Sequence, residues 1–270
     1  MLYLIRYGEL ALKSRQVRKR FEKTLAENIS KMSKKEGKTV ETKNIYGRLL
    51  IESESDISGI LSRTFGIVSF SPCSKISSDL NDIKKSSIKA AKSFKGTFAV
   101  ECNRTGKHTY TSKEVEKIVG ADIVEKFSLG VNLTKPENII GIDIRDNEGY
   151  IYTKNIQGPG GLPVGTAGKV LVIVENNDSS LAAWLMMKRG CDIVVLDKGS
   201  SHESLGKWYP GKLNIQNGDP DETAKKECCE AIISGNTGLE FGEKYGIPVF
   251  KPLIGMDKNK INELENYITK

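Results

Sequence analysis

The stretch from residue 168 to residue 190, GKVLVIVENNDSSLAAWLMMKRG, constrains this chain more than any other. An apolar strand (Val170 to Val174) passes through a polar turn ending in Asp178-Ser179 and continues as an amphipathic helix. That is the outline of a phosphate site, because the free N–H groups at a helix N-terminus point at an anion. Turns that hold phosphate normally contain glycines, so that the backbone closes tightly on it, but here Glu175 and Asn176 occupy those positions. The plain structural alternative is a strand-to-helix turn capped by Asp178.

Downstream, apolar runs alternate with helical stretches. Strands are expected at residues 170–174, 192–196, 231–233 and 248–253, and helices at 180–188, 223–229, 238–245 and 258–268. Alternation of this kind implies a parallel α/β sheet. Residues 197–221 are rich in Ser, Gly, Pro and Asn and show no convincing period.

The N-terminal half reads differently. A strand at residues 2–6 precedes a helix over 14–34, where Val17, Phe21, Leu25, Ile29 and Met32 recur at helical spacing. Residues 45–52 read as a strand with Gly47 in it, 56–64 as a short helix, and 67–76 as a strand whose Pro72 marks an edge or bulge. The order βαββαβ is the ferredoxin-like pattern. A second α+β module follows, with a helix over 79–94 and a strand over 98–103. Thr111 and Glu114 then form a capping box, and a hairpin crosses Asn147-Glu148-Gly149. The Gly/Pro stretch at 157–163 is the clearest boundary. It divides the chain into domains at 1–76, 77–165 and 166–270.

Charge is unevenly placed. Residues 1–165 hold 28 Lys and Arg against 19 Asp and Glu, and residues 166–270 hold 13 against 15. A basic N-terminal part is the usual footprint of a polyanion binder. The candidate RNA-contact residues are Lys13, Arg15, Arg18, Lys19 and Arg20 in one patch and Arg104, Lys107, His108 and Lys113 in another. For any one of them the alternative is a solvated surface charge. Five scattered cysteines without a C-x-x-C pair, and only two histidines, argue for a reducing cytoplasm and against a disulfide scaffold or a metal centre. No apolar run is long enough to span a membrane.

Several motifs together resemble one family. RYGELALK (residues 6–13), Arg20-Phe21-Glu22 and Asn28-Ile29 resemble the N-terminal domain of the tRNA 4-thiouridine synthetases, the ThiI sulfurtransferases. Residues 98–103, RTGKH (104–108), Thr111-Ser112 and Val119-Gly120-Ala121 resemble a THUMP domain, an RNA-binding module. GPGGLPVG (158–165), AAWLMMKRG (182–190) and PLIGMDK (252–258) are similar to the start and end of that family's PP-loop adenylation domain. The resemblance implies a ferredoxin-like domain, a THUMP domain and a shortened, Rossmann-like PP-loop domain with a parallel sheet. It further implies tRNA as partner, and ATP with Mg²⁺ used to adenylate uridine 8 before sulfur arrives from a cysteine persulfide.

Two departures qualify it. The family's adenylation loop is Ser-Gly-Gly-x-Asp-Ser, and this chain reads Val174-Glu175-Asn176-Asn177-Asp178-Ser179. Asp178 and Ser179 match as vestigial nucleotide-binding residues, while the glycines are gone and Glu175 would place a carboxylate against phosphate. The middle segment that carries the persulfide cysteine is reduced to about 35 residues. Cys228 and Cys229 stand near its end and read as core or incidental cysteines, so no catalytic residue is assigned. The expectation is a tRNA-binding protein with adenylation lost or weakened, acting as an adaptor or as part of a split thiolation system with a sulfur-donor or adenylating partner. The alternative is an active ATP-dependent tRNA sulfurtransferase with a non-standard ATP loop and an external sulfur donor. A third reading gives the C-terminal domain a role in homodimerisation.

Overall fold

The computed structural model describes residues 1–8, 14–45, 47–199, 202–238 and 245–269. The chain opens as β1 (Leu2–Arg6), α1 (Arg15–Lys35), β2 (Val40–Ile45), β3 (Arg48–Ser53), α2 (Ser58–Leu61) and β4 (Ser69–Ser77). It continues as α3 (Leu80–Ala91), β5 (Thr97–Thr105), α4 (Ser112–Phe127), β6 (Gly130–Val131), β7 (Asn138–Arg145), β8 (Glu148–Tyr152) and β9 (Ile156–Gln157). The last part is β10 (Lys169–Val174), α5 (Asn177–Lys188), β11 (Asp192–Asp197), α6 (Glu203–Trp208), β12 (Asn214–Gln216), α7 (Pro220–Lys226), β13 (Ala231–Ile233), β14 (Val249–Phe250) and α8 (Lys258–Thr269). Two compact units result. One comprises Met1–Arg6, Val40–Asp56 and Ser69–Gln157, and the other Tyr7–Thr39, Ile57–Val68 and Gly158–Lys270.

The first unit is built on a nine-stranded sheet of order β2-β3-β1-β4-β8-β7-β5-β6, with β9 beside β4. The single strand expected over 45–52 is instead the end of β2, a turn at Gly47 and then β3, because Gly47 adopts a positive φ of 73°. β2 escaped notice because its middle residues, Glu41 to Asn44, are all exposed and show no alternation. Pro72 lies within β4, which is not an edge. It faces Tyr3 of β1 and falls between the residues that pair with β9 and those that pair with β8, where no ladder bond needs its missing N–H. The β7–β8 turn is Asp146-Asn147, not Asn147-Glu148-Gly149, since Arg145 pairs with Glu148 and Asp146 carries the positive φ of 50°.

This sheet is strongly curled. Arg48 Nε in β3 reaches Asp143 Oδ2 in β7 at 3.1 Å, although three strands lie between them in the order. A flat sheet would separate them by roughly 19 Å. Asp143 is fully buried and also accepts from Arg145 Nε at 2.5 Å, so its charge is paired on both oxygens. Leu4, Leu50, Tyr150 and Tyr152 cluster on the inner side of the curl. On the outer side, α3 and α4 bury Ile83, Val115, Val119 and Ile123 against Phe98, Ile140, Ile142 and Ile144. The capping box at Thr111 and Glu114 starts α4 as expected.

The second unit holds a five-stranded, all-parallel sheet of order β12-β11-β10-β13-β14. Counting its strands from the first, the order is 3-2-1-4-5, the doubly wound arrangement. Trp184, Met187, Trp208, Ile261 and Ile268 pack on one face, and Ala224 and Cys229 on the other. Phe65 stacks on Trp208 (centroids 5.5 Å apart) and meets Trp184 edge-on. The Gly/Pro stretch is not a slack tether here. Gly158 N–H donates to Val68 O, Gly160 N–H to Ile67 O, and a Cβ on Gly158 would lie 2.4 Å from Ile67 O. Residues 239–244 of the helix expected over 238–245 lie outside those described. Among the described residues no helix is long and apolar enough to cross a membrane.

Candidate nucleotide cavity and RNA-contact loop

The β10–α5 turn sits beyond the carboxyl ends of the parallel strands, beside β13, where the strand order reverses. Doubly wound sheets bind ligands at this position. A cavity of about 540 Å³ opens there, lined by Glu175, Asn176, Asp178 and Ser179 on one side and by Ser234 to Thr237, Tyr245, Phe250, Lys251 and Ile254 on the other. Gly235 packs directly on the turn, since a Cβ at that position would lie 2.4 Å from Ser179 N. Only glycine allows so close a backbone approach.

The helix is capped by Asn176 and not by Asp178. Asn176 Oδ1 accepts from Ser179 N–H at 2.9 Å and from Ser179 Oγ at 3.0 Å. Two of the donors at this helix N-terminus are thus taken by the protein's own side chain. Asp178 is half-buried in the first turn and lines the cavity, and Ser179 is buried. Glu265 of α8, outside the cavity lining, has its carboxyl raised by burial and by the charge of Asp178. Among the described lining residues the one cation is Lys251, whose Nζ donates to Gly238 O.

The cysteines do not serve this cavity. Cys228 and Cys229 precede β13, and Glu230 N–H bonds Lys169 O at the start of β10. They lie one strand length, roughly 17 Å, from the β10–α5 turn. Burial raises the Cys229 thiol to about 11 and also raises Cys191, so neither is a ready thiolate. Cys228 is exposed in a left-handed conformation with φ 55°.

The basic residues divide between the units. Arg15, Arg18, Lys19 and Arg20 lie on α1 in the second unit, with Arg18 Nε 3.8 Å from Glu22. Lys13 lies outside the described residues. In the first unit Arg104 ends β5, Lys107 and His108 occupy the β5–α4 loop, and Lys113 opens α4. Lys107 is exposed, while Lys113 is bound to Glu116 at 2.8 Å, which raises its pKa. His108 is not a free contact, because both its ring nitrogens are engaged within the protein.

Comparison with known proteins fits these features. A model of the ThiI ferredoxin-like domain matches residues 2–71 and one of the THUMP domain matches residues 77–154. A probable tRNA sulfurtransferase of Methanocaldococcus jannaschii is 33% identical over 99% of this chain and 88% of its own length. The chain belongs to the tRNA sulfurtransferase family. The tRNA sulfurtransferase of Thermoplasma volcanium is 44% identical, and the chain spans 66% of that relative's length. That alignment runs over 324 residues against the 270 of this chain, so the relative carries residues with no counterpart here. Among solved structures, PH1313 from Pyrococcus horikoshii superposes with a TM-score of 0.87 at 27% identity, covering 100% of this chain and 99% of that one. A 4-thiouridine synthetase in complex with RNA and bound ATP gives a TM-score of 0.78 at 26% identity, over 99% of this chain and 84% of its own. The ferredoxin-like, THUMP and doubly wound architecture of this sulfurtransferase-family chain is thus that of its relatives.

Proposed function

We propose that this chain is a tRNA-binding member of the sulfurtransferase family whose C-terminal cavity binds ATP weakly. It serves in the cytoplasm as an adaptor, or as one part of a split thiolation system that obtains adenylation and sulfur from partners. The observation that carries this reading is the Asn176 cap, because a phosphate must displace Asn176 Oδ1 to reach the N–H and hydroxyl of Ser179. Glu175 and Asp178, which line the cavity, oppose an anion further. The distance of Cys228 and Cys229 from the cavity supports an external sulfur donor.

The test is calorimetric titration of the full chain with Mg-ATP, alongside tRNA binding. The expected result is tRNA retention with ATP binding weaker than millimolar. Micromolar ATP binding, or tRNA-dependent release of pyrophosphate, would favour the second reading, an active sulfurtransferase with a non-standard loop. That reading draws its support from the ATP bound by the 4-thiouridine synthetase noted above.

A further inference from the structure

His108 has a tautomer that its neighbours dictate. Nε2 lies 2.6 Å from Asp146 O, a carbonyl oxygen that can only accept, so Nε2 carries the hydrogen. Nδ1 lies 3.1 Å from Arg104 Nη1, which can only donate, so Nδ1 carries a lone pair. His108 is therefore the neutral Nε2–H form, bridging the β7–β8 turn to the guanidinium at the end of β5.

The bridge is braced on all sides. The His108 ring stacks on Tyr110 with centroids 5.3 Å apart and planes at 26°, and Tyr110 O–H donates to Ser78 O ahead of α3. Gly106 turns the loop with φ 110°, and a Cβ there would lie 2.8 Å from Asp146 Oδ1 and 3.2 Å from His108 Cε1. Among the described residues the protein acceptors of Arg104 are Gly106 O and His108 Nδ1, both taken by Nη1. Arg104 Nε is buried with no hydrogen-bond partner among the described residues, so that edge of the guanidinium is left for another acceptor.

From this geometry we infer that His108 is a positioning residue for RNA recognition: in its neutral form it orients Arg104 toward a phosphate oxygen. The inference rests on the proposed RNA contact at the β5–α4 loop. Preorganisation of this kind matters because a free arginine loses rotamer entropy on every contact it makes.

The experiment has two arms on the full chain. Long-range ¹H–¹⁵N correlation of the free protein at about pH 8 should show His108 protonated at Nε2 alone, and a signal from an Nδ1–H tautomer would overturn the inference. In tRNA titrations, R104A and H108A should each lose roughly tenfold or more in affinity, the size of one charge-assisted hydrogen bond. The double variant should lose no more than either single one. H108Q, which can donate to Asp146 O and accept from Arg104, should bind as the parent does. H108A binding like the parent while R104A is weak would show that Arg104 is oriented without His108. R104A binding like the parent would refute the RNA contact at this loop, and the positioning role with it.

Discussion

Replacing both Glu175 and Asn176 with glycine should open the helix N-terminus to phosphate. The cap change is cheap for the fold, since glycine at an N-cap costs only a few tenths of a kcal/mol relative to asparagine. What it releases is larger. Ser179 N–H and Ser179 Oγ, now held at 2.9 and 3.0 Å by Asn176 Oδ1, become free to donate to a phosphate oxygen. Charge-assisted bonds of this kind contribute about 1.5 kcal/mol each where water still reaches the site, hence about 3 kcal/mol together, or roughly a hundredfold in affinity. Glu175 is exposed and its repulsion is screened, so the Glu175→Gly half should contribute the smaller share. The assay is calorimetric titration with Mg-ATP of the parent, each single variant and the double variant, with thermal midpoints within a few degrees of one another as the control for folding. An affinity for the double variant within threefold of the parent would refute the argument that Asn176 is what keeps phosphate out.

Three other outcomes are expected. Asp143→Ala should destabilise the first unit by about 3–5 kcal/mol, because Arg48 and Arg145 lose the buried carboxylate that neutralises both; a chemical-denaturation change under about 1 kcal/mol would contradict the role given to that cluster. The Glu148 carboxyl is held down to about 2 by its hydrogen bonds from Lys75 and Tyr150, against an ordinary 4.5. Because its folded pKa is depressed, its contribution to stability is complete above 4.5 and is lost as pH falls toward 2, so Glu148→Gln should lower stability at neutral pH and flatten acid unfolding across that window. Reversing Arg18, Arg20, Arg104 and Lys107 to Glu should abolish tRNA retention at modest salt, and unchanged affinity with a flat salt dependence would show that RNA binds elsewhere.

How much was legible in the sequence depended on whether a local pattern carried the information. The β10–α5 unit could be read because an apolar run and a helical period adjoin one another. The capping box of α4 could be read because its two residues are three apart. β2 could not, since none of its central residues is buried. Nor could α6 and β12, which are short and borrow their order from distant partners: Trp208 Nε1 of α6 donates to Ile268 O of α8. Glu265 escaped for the same reason, as 87 residues of chain separate it from the Asp178 whose charge it feels.

By itself the sequence determined the family, the three kinds of fold and the loss of the glycines at 175 and 176, because each is written in residues adjacent along the chain. The tertiary structure decided what stands in their place. It closed the helix N-terminus with Asn176 where Asp178 was expected, packed Gly235 upon it, and put Cys228 and Cys229 at the far end of the strands. It also engaged both ring nitrogens of His108 within the protein. Hydrogen-bond donors and acceptors are committed only once the backbone brings them within about 3 Å of one another, and no spacing along the chain records which of the competing partners arrives.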